Sequence, residues 1–270
     1  MLRILFFTLS FFAVAIPNAR ATDLPPVVDV ELILAVDVSW SMDLDEQRLQ
    51  RQGYVEAIQD PNVVAAIQKG DWGRIAVTYV EWAGVGLERT LVPWTIIDGP
   101  AAAATFAAEL DSAPIGRMRR TSISSMLTHA ATLFDNDIDG MRRVIDVSGD
   151  GPNNMGILVT AARDQLLAQG ITINGLPIMI KQTSSGGYFQ LDKLDVYYED
   201  CVIGGFNSFM ITVNEKTRLQ EAIRRKLILE IANARPRMMR AQYRAPGSPP
   251  RVDCAVGEKQ WRRWRRIDQW

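Results

Sequence analysis

Residues 31–37 read Glu-Leu-Ile-Leu-Ala-Val-Asp, a continuous apolar run that ends in a carboxylate. A strand covered on both faces of a parallel sheet has this pattern, whereas a half-exposed strand alternates. Residues 45–69 place Leu49, Tyr54, Ile58, Val63 and Ile67 at helical spacings, and Pro61 divides the stretch into two helices. Residues 74–82 and 88–94 are β-rich and read as a hairpin after Gly84 and Gly86, with Pro93 placing the second member at a sheet edge. Helices are expected over 101–110, 121–134 (opened by Thr121), 154–169 (ended by Gly170), 191–198 and 216–232. Strands are expected over 143–148, 171–180 and 209–213, and a turn over 184–187.

Strand and helix thus alternate through residues 23–232 with no internal repeat or linker. This predicts one α/β domain: a Rossmann-like, doubly wound, mostly parallel six-stranded sheet with one antiparallel edge strand. The prolines at 236, 246, 249 and 250 predict an irregular C-terminal tail.

Composition adds two points. With 47% hydrophobic and 23% charged residues the chain is neither collagen-like nor wholly disordered. The net charge of −1 sums an acidic body, −8 over residues 1–232, and a basic tail, +7 over 233–270. Three of the seven tryptophans, Trp261, Trp264 and Trp270, fall in the last ten residues.

Residues 1–21 read as an export signal: Arg3, an apolar run from Ile4 to Ile16, and Ala19-Arg20-Ala21 as a cleavage site. Without a cysteine at that site, a lipoprotein is not expected. The mature chain is expected in the periplasm or outside the cell. In such a space Cys201 and Cys254, the only cysteines, read first as a disulfide tying the tail to the body, with two unpaired buried thiols as the alternative.

In an open parallel sheet, ligands bind at the carboxyl ends of the strands, where strand order reverses. For the order 3-2-1-4-5-6, the strand ending at Asp37 and the strand ending at Ser148-Gly149-Asp150 are neighbours there, with Thr121 at the same edge. Asp37, Ser39, Ser41, Thr121 and Asp150 then supply two carboxylates and three hydroxyls. An oxygen-only set of this kind suits a hard divalent cation, Mg²⁺ above all, with Mn²⁺ or Ca²⁺ as alternatives. The hydroxyls ligate directly, and the carboxylates either ligate or hold waters. A remaining position is left for an acidic side chain of a protein partner.

Asp37-x-Ser39-x-Ser41, Thr121 and Asp150-Gly151 resemble the metal-ion-dependent adhesion site of von Willebrand factor type A domains, over about residues 28–232. Segments such as VTYVEW, VIDVSGDGPNN and YYEDCVIGG further resemble a bacterial family of exported, type A-like proteins of unknown function. The resemblance implies the Rossmann-like fold, the metal site and a binding role, and it names no partner.

Around this centre, Trp40 either contacts a partner or packs on the neighbouring helix. Arg117, Arg119 and Arg120 either rim the site and favour acidic ligands or form a solvated loop. Asp146, inside a strand, calls for a buried partner. His129, the single histidine, lies eight residues beyond Thr121, about 12 Å along a helix, which is too far for a Ser-His-Asp arrangement. Metal-assisted hydrolysis at the same centre is the enzymatic alternative. The Trp261–Arg266 segment suggests a third role, attachment to an anionic envelope surface. Nucleic acid would suit the same composition, but export removes it as a target.

Overall fold

The computed structural model describes residues 24–180, 191–233 and 249–267. The expected export signal and the 184–187 turn lie outside them. Along the chain, β1 (Val27–Val28) and β2 (Glu31–Asp37) are followed by α1 (Leu44–Gln59), α2 (Pro61–Gln68), β3 (Ile75–Trp82) and β4 (Glu88–Ile97). Next come α3 (Pro100–Ser112), α4 (Ile123–Leu133), β5 (Asp139–Gly140), β6 (Arg143–Gly149), α5 (Val159–Leu167) and β7 (Thr172–Pro177). The order ends with α6 (Leu194–Tyr197), a π-helical turn (Tyr198–Val202), α7 (Leu219–Ile231) and α8 (Val256–Ile267). No helix among the described residues is long and apolar enough to cross a membrane.

Local chemistry sets the helix starts. Asp43 and Glu46 form a reciprocal capping box at α1. Asp60 caps α2 with Pro61 in its first turn, which is the break the sequence predicts.

The main sheet has the order β4-β3-β2-β6-β7, parallel throughout except for the antiparallel β3–β4 pair. All seven residues of β2 and all eight of β3 are buried, so the apolar run of β2 reports two covered faces, and β3 shares that burial although it carries Thr78 and Glu81. Alternation along β2 divides two cores. Leu32, Leu34 and Val36 pack with Tyr54, Phe106, Ile223 and Leu227 from α1, α3 and α7. Ile33 and Ala35 pack with Met126, Leu127, Leu166 and Tyr197 from α4, α5 and α6. Asp146 finds its buried partner in Lys226 of α7, at 2.6 Å.

Four expectations need correction. The sheet has five continuous strands, not six. The sixth segment does run parallel beside β7, as the bridges Gly175–Met210 and Ile178–Val213. The ladder is interrupted because the Phe209 amide donates to the Asn174 side chain and Pro177 has no N–H to give. Secondly, α5 begins at Val159 rather than 154, because Asn153 and Asn154 are engaged elsewhere (below). Thirdly, the hydroxyl that caps α4 belongs to Ser122, which accepts from the Ser125 amide, and Thr121 precedes it. Finally, the tail is not irregular to its end: α8 is helical, with Gly257 and Glu258 buried against the body.

Candidate metal centre

β2 and β6 lie side by side, so Asp37 at the end of β2 and Asp150 just beyond β6 share the carboxyl edge of the sheet. The Asp37 carboxylate is fully buried. Its Oδ1 accepts from the Ser39 amide at 2.7 Å, which folds the loop back over the strand end. The Ser39 and Ser41 hydroxyls are 2.7 Å apart, and Ser41 donates to Asp150 Oδ1 at 2.6 Å. Four of the five expected residues are thus joined in one hydrogen-bonded chain.

Asp37 Oδ2 is buried and has no hydrogen-bond partner. Burial, and then the nearby Asp150, push the Asp37 carboxyl well above the usual carboxylate range, against the pull of Ser39. Gly149 leaves room at this oxygen: a Cβ there would lie 3.1 Å from Asp37 Oδ2 and 2.9 Å from the Tyr198 hydroxyl. A bound proton or a divalent cation would offset the charge of these carboxylates. No three His, Cys, Asp or Glu side chains gather as a metal cluster among the described residues. Two carboxylates with serine and threonine hydroxyls nevertheless fit a hard cation.

Thr121, the fifth expected residue, is fixed through its backbone. Its amide donates to Asn154 Oδ1 at 3.1 Å, and its carbonyl accepts from the Asn154 amide at 2.9 Å. Asn153 makes the parallel link, accepting from the Ser124 amide and donating through Nδ2 to Ile157 O and Glu258 Oε1. These two amide side chains bind the loop after Asp150 to the start of α4.

At the rim, the Trp40 ring is half exposed, and the Arg119 guanidinium stacks over it at 4.1 Å. Arg117 donates to the Trp40 carbonyl at 2.5 Å. Arg120 adopts φ 76, an uncommon backbone for a side chain of this size, and stacks over Trp261 of α8 at 4.8 Å. Trp40 therefore sits beneath an arginine, with half of its surface exposed. The expected Cys201–Cys254 disulfide is present and places α8 against Asn153.

Sequence reasoning missed Tyr198, Asn153 and Asn154. The Tyr198 hydroxyl is buried without a partner beside Gly149, and burial and then Asp37 raise it well above the usual tyrosine range. Its only signal was the Tyr-Tyr pair ahead of Cys201. The asparagines were visible as two side-chain amides directly after Asp150-Gly151-Pro152, a placement that suits loop pinning better than a helix.

The fold is shared with solved structures of low sequence identity. Proximal thread matrix protein 1 from the mussel byssus matches with a TM-score of 0.55 at 15% identity, covering 76% of this chain and 47% of that one. Another structure of that protein is described as having a zinc-occupied MIDAS motif. The pilus adhesin SpaC from Lactobacillus rhamnosus GG matches with a TM-score of 0.57 at 11% identity, covering 78% and 31%. A von Willebrand factor type A protein from Catenulispora acidiphila gives 0.51 at 13% identity, covering 76% and 43%. The chain spans less than half the length of each of these proteins. No curated protein matches the sequence. Residues 27–235 match a family described as "Protein of unknown function (DUF1194)", and the chain is a member of that family with a type A-like fold.

Proposed function

We propose that this protein is an exported binding module of the adhesion type, in which Asp37, Ser39, Ser41, Thr121 and Asp150 hold a divalent cation. The observation that carries this reading is the orphaned, fully buried Asp37 Oδ2 at the end of the Ser39–Ser41–Asp150 hydrogen-bonded chain. When bound, the cation supplies a coordination position for an Asp or Glu of a protein partner. Mg²⁺ suits the oxygen set, with Mn²⁺ or Ca²⁺ as substitutes. The Asp37 and Asp150 carboxylates balance its charge, and the hydroxyls add none. Trp40, Arg119 and Arg120 form the rim, where the cations favour an acidic partner.

Export is supported by residues 1–21 and by the disulfide, which suits an oxidising space. The type A-like unit spans 22–232, and 233–270 forms a basic appendage. A binding role is favoured over metal-assisted hydrolysis because the single histidine, His129, lies in the second turn of α4, away from the helix start at the edge, and supplies no imidazole base there. The exposed Lys259, Arg262 and Arg263 of α8 would serve a peripheral contact with an anionic envelope surface.

Titration with Mn²⁺, read by calorimetry or electron paramagnetic resonance, tests the centre. Asp37→Asn and Asp150→Asn are expected to weaken Mn²⁺ binding at least about tenfold, with Ser41→Ala in the same direction. Wild-type affinity in Asp37→Asn would sink the reading.

A further inference from the structure

We propose that the carboxyl edge of the sheet is a docking face wider than the cation site, and that its occupant is a segment of a partner protein in which an acidic residue is flanked by apolar side chains. The acidic half of this inference rests on the cation reading above, and the apolar half does not. Ten large apolar side chains are exposed among the described residues, and six of them follow the ends of β2, β3 and β6. They are Trp40, Leu44, Val85, Leu87, Ile157 and Leu158, each 40–51% exposed. Scattered surface apolar residues are ordinary, but their concentration around one polar centre marks an interaction surface.

Close approaches at two glycines tie Leu87 and Val85 to neighbouring loops. A Cβ on Gly84 would lie 3.2 Å from Arg120 Cβ and 3.5 Å from Leu87 Cδ1, so Leu87 borders the basic rim. A Cβ on Gly156 would lie 3.4 Å from Val85 Cγ2, so the loop after β3 touches the loop after β6, next to Ile157. Arg119 over Trp40 and Arg120 over Trp261 continue the surface on its other side. The result is a set of branched aliphatic side chains on the loops after β3 and β6, beside arginines of the loop before α4 and the tryptophans Trp40 and Trp261, the latter supplied by α8.

Arg120 adds an independent sign. A left-handed backbone is uncommon at a non-glycine residue and collects at functional sites. Here it aims a guanidinium across the rim. Charge complementarity selects the occupant: arginines beside a carboxylate-binding centre attract an acidic residue, and the aliphatic set takes its apolar neighbours.

Two synthetic peptides serve as probes in calorimetric titration of the Mg²⁺-loaded full chain: acetyl-Ala-Ile-Glu-Ile-Ala-amide and acetyl-Ala-Ser-Glu-Ser-Ala-amide. The isoleucine peptide is expected to bind about tenfold tighter or more, since two aliphatic side chains leave water. Val85→Ser and Leu87→Ser are expected to erase that preference with Mn²⁺ affinity and melting temperature unchanged. Arg120→Gly is expected to weaken both peptides without lowering the melting temperature. Equal affinities in the wild type, or no binding of either peptide to protein that takes Mn²⁺, would overturn the proposal. If Mn²⁺ fails to bind while the isoleucine preference persists and Leu87→Ser removes it, the cation reading falls and the face stands. Co-sedimentation with phosphatidylglycerol vesicles that Leu87→Ser abolishes would assign the face to a membrane instead, and self-association that Leu87→Ser abolishes would assign it to a second copy. Either result overturns the proposed occupant.

Discussion

Lys226→Met is expected to destabilise the protein by about 3–5 kcal/mol at pH 7, measured by urea unfolding, because it strands two buried carboxylates. Lys226 is fully buried in α7 and pairs with Asp146 of β6 at 2.6 Å and with Glu230 one helical turn on. Asn174 donates to Glu230 Oε1 at 2.9 Å and accepts from the Phe209 amide at 3.0 Å. One lysine therefore ties α7 to the two strands at its end of the sheet and to the segment beside them. The cluster holds two carboxyls and one ammonium, so one proton makes it neutral. Burial, followed by Asp146, pushes Glu230 up to about 7 from its ordinary 4.5. Burial raises Asp146 as well, against the pull of Lys226. A carboxyl raised in the folded state adds stability that is full below its unfolded value and is lost as pH rises through its folded value. Wild-type stability is therefore expected to fall between about pH 4.5 and pH 7 through Glu230, and Glu230→Gln to flatten that slope. Without Lys226 both carboxyls rise further, so the deficit of Lys226→Met is expected to be smaller at pH 5 than at pH 8. A deficit that grows on acidification would contradict this account.

The same cluster shows where sequence patterning stops. Asp146 inside a strand called for a partner, and one exists, but nothing in a one-dimensional pattern picks Lys226, 80 residues away, from the chain's other cations. Periodicity read β2, β3 and β6 and the helices of the body because each buries a face that its own residues announce. It placed Asp37 and Asp150 together because parallel topology leaves few neighbours for a central strand. Where a side chain serves a distant loop, local reading failed. The Asn154 amide engages Thr121 rather than starting a helix, and the Phe209 amide meets Asn174 rather than a strand. In the tail, four prolines hid the helix that follows them, although Glu258 and Trp261 fall on one helical face. Val85 and Leu87 fall between the two members of the expected hairpin, and the exposure of Leu87 beside Arg120 is a tertiary fact.

Removing the disulfide by a Cys201→Ser/Cys254→Ser double substitution is expected to lower stability by about 4 kcal/mol in the chain-entropy model, given a sequence separation of 53. That part of the effect acts on the unfolded chain and would say nothing of the candidate site. The native structure adds a second consequence. Cys201 lies in the turn that carries Tyr198 to Gly149, and Cys254 lies two residues before α8. Gly257 of α8 lies so close to Asn153 that a Cβ there would meet Asn153 O at 2.1 Å, and Glu258 accepts from Asn153 Nδ2 at 2.7 Å. Arg251 adds ion pairs to Glu199 and Asp200 across the same junction. The bridge thus holds α8 against the loop that follows Asp150. In the double variant, amide exchange over residues 150–158 is expected to accelerate more than in β2 or β3, whose exchange follows global unfolding. Gly257→Val separates the two effects. It keeps both cysteines but forces α8 off Asn153, so the same segment is expected to exchange faster with the disulfide intact. Uniform acceleration across the sheet in the double variant, together with unchanged exchange in Gly257→Val, would mean that the bridge constrains the unfolded chain alone and that α8 does not steady the loop beside Asp150.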